Sequence, residues 1–186
     1  MPQIKLTAPL SGPMVESLRI GQRVLLNGVI YTAAEEAHRR MAETLRRGGE
    51  LPFPIAGQIL FYVSFSPAKP GRLCGSIGLS ASDRLDEYSP QLIAQGLKGM
   101  IGKGVRSSET VKAMNKHKAV YFAAVSGASA LIASLVKSCR VVAYPELCDE
   151  AIYELVVENL PLIVVNDVLG GDLYKESARI YDVRRC

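Results

Sequence analysis

Apolar residues fall in short runs bounded by glycine and proline over the first third of the chain, and alternate with amphipathic stretches after residue 90. QIKLTAP predicts a strand closed by Pro9, and GQRVLLNGVIYT a strand interrupted at Gly28. Ala34, Ala37, Met41 and Leu45 then recur at helical spacing, which predicts a helix over 33–46 with one apolar face. Thr32 stands at the capping position with Glu35 three residues on, the pattern of a capping box. The glycines and prolines of RRGGELPFP end that helix.

GQILFYVSF predicts a second strand, PAKPG a turn, and RLCGSIGLS a third strand running into the polar stretch SASDRLDEY. A short helix in YSPQLIAQG, a strand with a glycine-rich corner in LKGMIGKG, and a helix in SSETVKAMNKH capped by Ser107 or Ser108 follow. The remainder reads as a strand in AVYFAAV, a helix over 128–136, a strand in CRVVAYPEL, a short helix near DEAIYEL and a last strand in LPLIVVND. This order predicts one α/β domain over 1–186 with a mixed sheet. AVYFAAVSGASALIASLV carries no charge and approaches the ~20 residues of a membrane span. Its texture changes at Gly127, however, from strand-like Val120, Tyr121 and Phe122 to an Ala/Ser/Leu pattern, so a strand, turn and buried helix are expected instead. The opening MPQIKLTAPL has no basic region followed by an apolar one, so no signal peptide is expected, and the protein should be soluble and cytoplasmic.

Composition narrows the function classes. With 186 residues, 48% hydrophobic and 22% charged, the chain is globular and long enough to bury a core. The net charge of +4 is mild, and the basic residues are scattered rather than interleaved with aromatics, which disfavours nucleic acid and suits small acidic substrates or a plain solvated surface. Cys74, Cys139, Cys148 and Cys186 show no CxxC pair and no ligand spacing, so neither a disulfide framework nor a metal site within this chain is expected. No GxGxxG follows the first strand and no GxxxxGK[ST] occurs, which leaves no nucleotide fingerprint.

Three glycine-rich corners, at 78–84, 102–106 and 126–130, are candidate anion sites, since glycine permits close backbone approach. Arg84 and Lys103 could supply matching charge, one as a planar fork and one as a point charge. Each corner alone reads as a plain turn before it reads as an anion site; together they suit a dicarboxylate pocket. His38, four residues after Ala34, is either a hydrogen-bonded helix residue or a substrate contact and proton carrier. His117, in NKHK, reads as exposed.

GLSASDRLDEY, KGMIGKGVRS and AVSGASAL, with GVIYTAAEEAHRR before them and EAIYELVVENLPLIVVNDVLGGDLY after, resemble the beta subunit, or C-terminal domain, of the class I iron–sulfur fumarases and tartrate dehydratases. The resemblance runs from about Ile4 to Tyr174. It implies a swivelling β/β/α-type domain that forms half of an active site. It also implies a hetero-oligomer with an alpha subunit, whose [4Fe–4S] cluster this chain does not ligate. The cluster's labile iron acts as a Lewis acid on a small dicarboxylate. The implied reaction is reversible hydration of fumarate to malate, or dehydration of a relative such as tartrate. Ser80 falls on a threonine proposed as the carbon-proton base, Arg84 on a carboxylate clamp, Lys103 on the lysine of the Gly-Lys-Gly corner, and His38 on the family's helix-start histidine. Ala34 and Glu35 replace the family's Arg-Asp, and Ser80 and Ala81 its threonine pair. These departures imply a changed substrate, compensation by a residue such as Arg39, or weak activity, and Ala34 supports an alternative, a non-catalytic binding or assembly subunit of the same fold.

Overall fold

The computed structural model describes residues 3–66, 74–124, 127 and 129–180. Strands β1 (Ile4–Ala8), β2 (Arg23–Thr32), β3 (Ile59–Phe61), β6 (Gly99–Gly102) and β7 (Val120–Ala124) pair in parallel in that order. The long β9 (Ile152–Asn166) runs antiparallel to β7 on one side and to β2 on the other, which closes β2-β3-β6-β7-β9 into a ring. β8 (Val136–Ala143) flanks β9, and β4 (Val63–Phe65) pairs with β5 (Ile77–Leu79) as a separate antiparallel ribbon. The predicted mixed-sheet α/β architecture is what the chain adopts.

Strand alternation separates two cores, because successive side chains point to opposite faces. Ile59 and Phe61 join Leu26, Ile101, Phe122 and Val164 on one face. Leu60 and Tyr62 join Met100 and Tyr121 on the other, beneath α2 (Glu35–Arg46), α3 (Ser89–Ala94) and α4 (Ser108–His117), which contribute Met41, Leu92 and Met114. The remaining helices are α1 (Gly12–Ser17), α5 (Ser129–Ser134) and α6 (Leu173–Ile180).

Several local expectations are corrected. Thr32 ends β2 and its Oγ1 accepts the Tyr153 N–H at 3.1 Å, so α2 starts after Ala34 with no side-chain cap. Glu35 and Glu36 in its first turn still complement the helix dipole. GQILFYVSF is two strands, since at Tyr62 the chain leaves the sheet for the ribbon. The short helix expected near DEAIYEL lies earlier, ending with its first two residues. A 3-10 segment occupies Pro145–Glu150, and Ile152 opens β9. The spacing of Ile152 and Leu155 imitates a helix, but pairing with β2 and β8 on both edges prevails. β9 also runs through Asn159 into LPLIVVND without interruption, joining what the pattern gives as two elements; the Asn159 N–H donates to Asn27 Oδ1 at 2.9 Å beside the bulge at Gly28. α5 ends at Ser134 and Val136 already belongs to β8. The PAKPG turn lies outside the described residues. Among those described, no helix is long and apolar enough to cross a membrane.

Candidate active site

The carboxyl ends of the parallel strands carry the candidate residues, as expected for a ligand site on such a sheet. β2 leads into α2 and His38, β3 into Tyr62, and β6 into Lys103. The Ser80 N–H donates to the Tyr62 carbonyl at 2.8 Å, Ala81 bridges Lys103 in parallel, and the Ser82 N–H donates to the Lys103 carbonyl at 3.1 Å. Two of the three glycine corners are thereby joined, and Ser80 and Lys103 share one ledge. Arg84 lies on the adjoining 3-10 turn Ser82–Leu85. Ser80 is half-buried, while Arg84 and Lys103 are exposed and, among the described residues, in no ion pair. Of the third corner, Gly127, Ser129 and Ala130 are described, the last two opening α5.

Glycines 102 and 104 serve the corner for different reasons. A Cβ at Gly102 would sit 2.1 Å from Ser82 Oγ and 3.1 Å from the Tyr62 ring, so the approach of the turn to β6 requires its absence. Gly104 has open space but a φ of +88°, the left-handed region that glycine adopts without strain.

Beneath the ledge lies a buried polar layer. Tyr121 donates to the Gly104 carbonyl at 3.1 Å, which leaves Ser82 to donate to the Tyr121 oxygen at 2.9 Å. Ser89 donates to the Leu85 carbonyl at 2.7 Å, so its oxygen accepts from Tyr62 at 3.2 Å and from Arg106 Nη2 at 2.7 Å. Arg106 Nη2 also lies 2.6 Å from Asp86 Oδ1, and its guanidinium stands 5.1 Å from the ring centroids of both Tyr62 and Tyr121. His38 is fully buried, edge-on to Tyr62 with centroids 5.0 Å apart. Its Nδ1 is 2.9 Å from the Ala34 carbonyl, which can only accept, so the proton sits on Nδ1 and the Nε2 lone pair has no partner among the described residues.

Burial pushes the His38 imidazole down to about 4, and the Arg106 charge adds to this against the opposing bond to Ala34. It is therefore neutral at physiological pH. Burial likewise pushes the Tyr121 hydroxyl above the ordinary phenol range, despite Ser82 and Arg106. For Arg106, burial opposes the charge, but Tyr62, Asp86 and Tyr121 outweigh it and the guanidinium stays charged. Of this layer, the sequence points to His38 and to Ser82 in the polar stretch after the third strand. Tyr62 and Tyr121 read as strand core, and Arg106 as the end of a corner; the tyrosines sitting mid-strand were the available hint, since a buried phenol needs a partner.

The family model described as "Fumarase C-terminus" matches residues 1–177. The chain belongs to this family. A putative L(+)-tartrate dehydratase subunit beta of Methanocaldococcus jannaschii is 34% identical over 175 residues, covering 90% of each chain. The L(+)-tartrate dehydratase subunit beta of Escherichia coli is 28% identical over 185 residues, 97% of this chain and 90% of that protein. The aerobic class I fumarate hydratase of Escherichia coli is 33% identical over 185 residues, 95% of this chain but 34% of the relative. The chain thus spans about a third of the fumarate hydratase it matches and nearly all of the tartrate dehydratase beta subunits.

Within this Fumarase C-terminus chain, the position of the departing Ala34 is closed. Ala34 is 2% exposed. Arg39, a few residues on, is held by Glu36 and Glu43 along α2, and Arg40 by Glu36 and Glu146. Among the described residues no three His, Cys, Asp or Glu side chains could hold a metal. Cys74 and Cys139 are half-buried, with burial pushing the Cys139 thiol up to about 12, and Cys148 is exposed. This donor set does not fit an iron–sulfur cluster.

Proposed function

We propose that this chain is the beta subunit of a two-component iron–sulfur hydro-lyase, which reversibly hydrates fumarate to malate or dehydrates a related hydroxy-dicarboxylate such as tartrate. The observation that carries the reading is the match over 90% of a tartrate dehydratase beta subunit, with Ser80 and Lys103 on one ledge at the strand ends. The cluster belongs to an alpha subunit, in keeping with the donor set here, and the complex works in the cytoplasm. Arg84 and Lys103 bind the substrate carboxylates, free of competing ion pairs among the described residues. In the dehydration direction Ser80 Oγ takes the proton from carbon, and in hydration it returns it; the two cations favour its deprotonated form once the closed site excludes water. His38 backs the site as a neutral imidazole with an uncommitted Nε2 lone pair.

Anaerobic purification of the tagged chain from its own cells, with assays of fumarate hydration and tartrate dehydration on the same fraction, tests this reading. Co-elution of an iron-bearing, cysteine-containing partner with either activity is expected. A complex that forms but turns over neither acid would establish the alternative, a binding or assembly subunit, which Ala34 favours: the α2 start offers no side-chain cap and no arginine.

A further inference from the structure

The Lys103 corner and the turn bearing Ser80 and Arg84 are separate stretches of chain; Ser82 reaches the corner through Tyr121, and the far end of the turn is held by the charged side chain of Arg106. We propose that Arg106 is a positioning residue for this site: its buried guanidinium latches the turn to the corner and so sets the placement of Ser80 relative to Lys103. The catalytic consequence rests on the hydro-lyase reading above; the mechanical link does not.

Arg106 ends the corner, and its side chain is 0% exposed. Its Nη2 reaches Asp86, immediately after the 3-10 turn, and Ser89, the first residue of α3. Asp86 Oδ2 in turn accepts the Ser107 N–H at 2.6 Å, at the cap of α4. One carboxylate thereby ties the turn both to the guanidinium and to the helix that leaves the corner. Nε and Nη1 of Arg106 have no partner among the described residues, so Nη2 alone makes both the ion pair with Asp86 and the hydrogen bond to Ser89, and losing it leaves Asp86 held to α4 only through the Ser107 N–H and its own carbonyl. The two tyrosine rings fix the guanidinium in place, and both belong to the layer that carries the ledge. Lysine cannot reproduce this, because an ammonium has no planar face to lay against the rings and a strongly hydrated charge resists such burial.

The backbone above the latch consists of a few bonds, the Ser82 N–H to Lys103 carbonyl among them. A turn freed from Arg106 can still form those bonds but no longer holds them continuously. Ser80 is then misplaced for part of the time, which slows the proton transfer more than it weakens carboxylate binding.

The test uses the assembled complex with Arg106→Lys in this chain, and the double variant Arg106→Met/Asp86→Asn, which removes the charge and its partner together. Measured are kcat and KM for fumarate and tartrate, the melting temperature, and hydrogen exchange at the Ser82 and Ser107 amides. We expect kcat to fall at least about tenfold with KM changed less than about threefold, and both amides to exchange at least about tenfold faster while the β6 and β7 amides do not. A lowered melting temperature with kcat per folded complex and the two amides unchanged would overturn the proposal. If Arg106→Lys does not fold, the double variant is read by the same criteria. If the wild-type complex turns over neither acid, the hydro-lyase reading fails, and exchange alone decides the latch: faster exchange at Ser82 and Ser107 upholds it, and unchanged exchange overturns it.

Discussion

The ledge and the layer beneath it use opposite parts of the residue. On the ledge, Ser80, Ala81 and Lys103 are placed by backbone contacts, and the side chains of Ser80, Lys103 and neighbouring Arg84 are left accessible. In the layer, the hydroxyls of Ser82, Ser89, Tyr62 and Tyr121 and the Arg106 guanidinium are committed to carbonyls, to Asp86 and to one another. A side chain that holds structure has no group to spare for substrate, whereas one held by its backbone does. Ledge substitutions should therefore change chemistry and spare stability, whereas layer substitutions should change stability and reach the chemistry only through the placement of the ledge.

The largest expected effect is at the ledge. Ser80→Ala should lower kcat of the assembled enzyme by about 10²–10⁴, the range of a general acid–base group, with an unchanged melting temperature. A variant with wild-type turnover would place the proton-transfer group elsewhere. The layer's counterpart is a pH effect from His38. The unfolded chain takes up this proton near 6.5 and the folded chain only near 4. Between these values the unfolded state binds more protons, so stability falls as the pH drops, by up to about 3 kcal/mol. Denaturant unfolding at pH 7 and pH 4.5 should show this loss, and His38→Asn should flatten it; parallel losses in both proteins would mean that His38 is not buried neutral.

Arg84→Ala should raise KM about tenfold to a hundredfold, the loss of about 1.5–3 kcal/mol from a hydrogen bond to a charged group, and lower turnover as well, because the clamp acts in ground and transition states. Steady-state kinetics identical to wild type would remove Arg84 from the site. Gly102→Ala should destabilise by about 1–3 kcal/mol through overpacking, since its methyl meets Ser82 Oγ. A melting curve that does not shift would show that Ser82 rotates away freely and that the layer is looser than its bonds suggest.

Much of the architecture follows from local physics and was legible in the chain. The strands β1, β2, β6 and β7, the helices α2, α3 and α4, and the Ser107 cap, whose Oγ accepts the Thr110 N–H, rest on periodicity and turn chemistry within a few residues. The candidates Ser80, Arg84 and Lys103 were likewise visible, because glycine corners and unpaired polar loops stand out against apolar runs.

What tertiary structure alone decided depends on partners far along the chain. β9 becomes a single strand across Pro161 because β2 and β8 or β7 lie on both its edges. Thr32 gives its hydroxyl to Tyr153, 121 residues away, instead of capping α2. His38 is neutral, and Arg106 is buried and charged, only because the sheet and three helices remove them from water and bring Asp86 and two tyrosines to the guanidinium. Periodicity and turn residues encode which segments form. The protonation and placement of a side chain depend on desolvation and on neighbours that only the folded chain assembles.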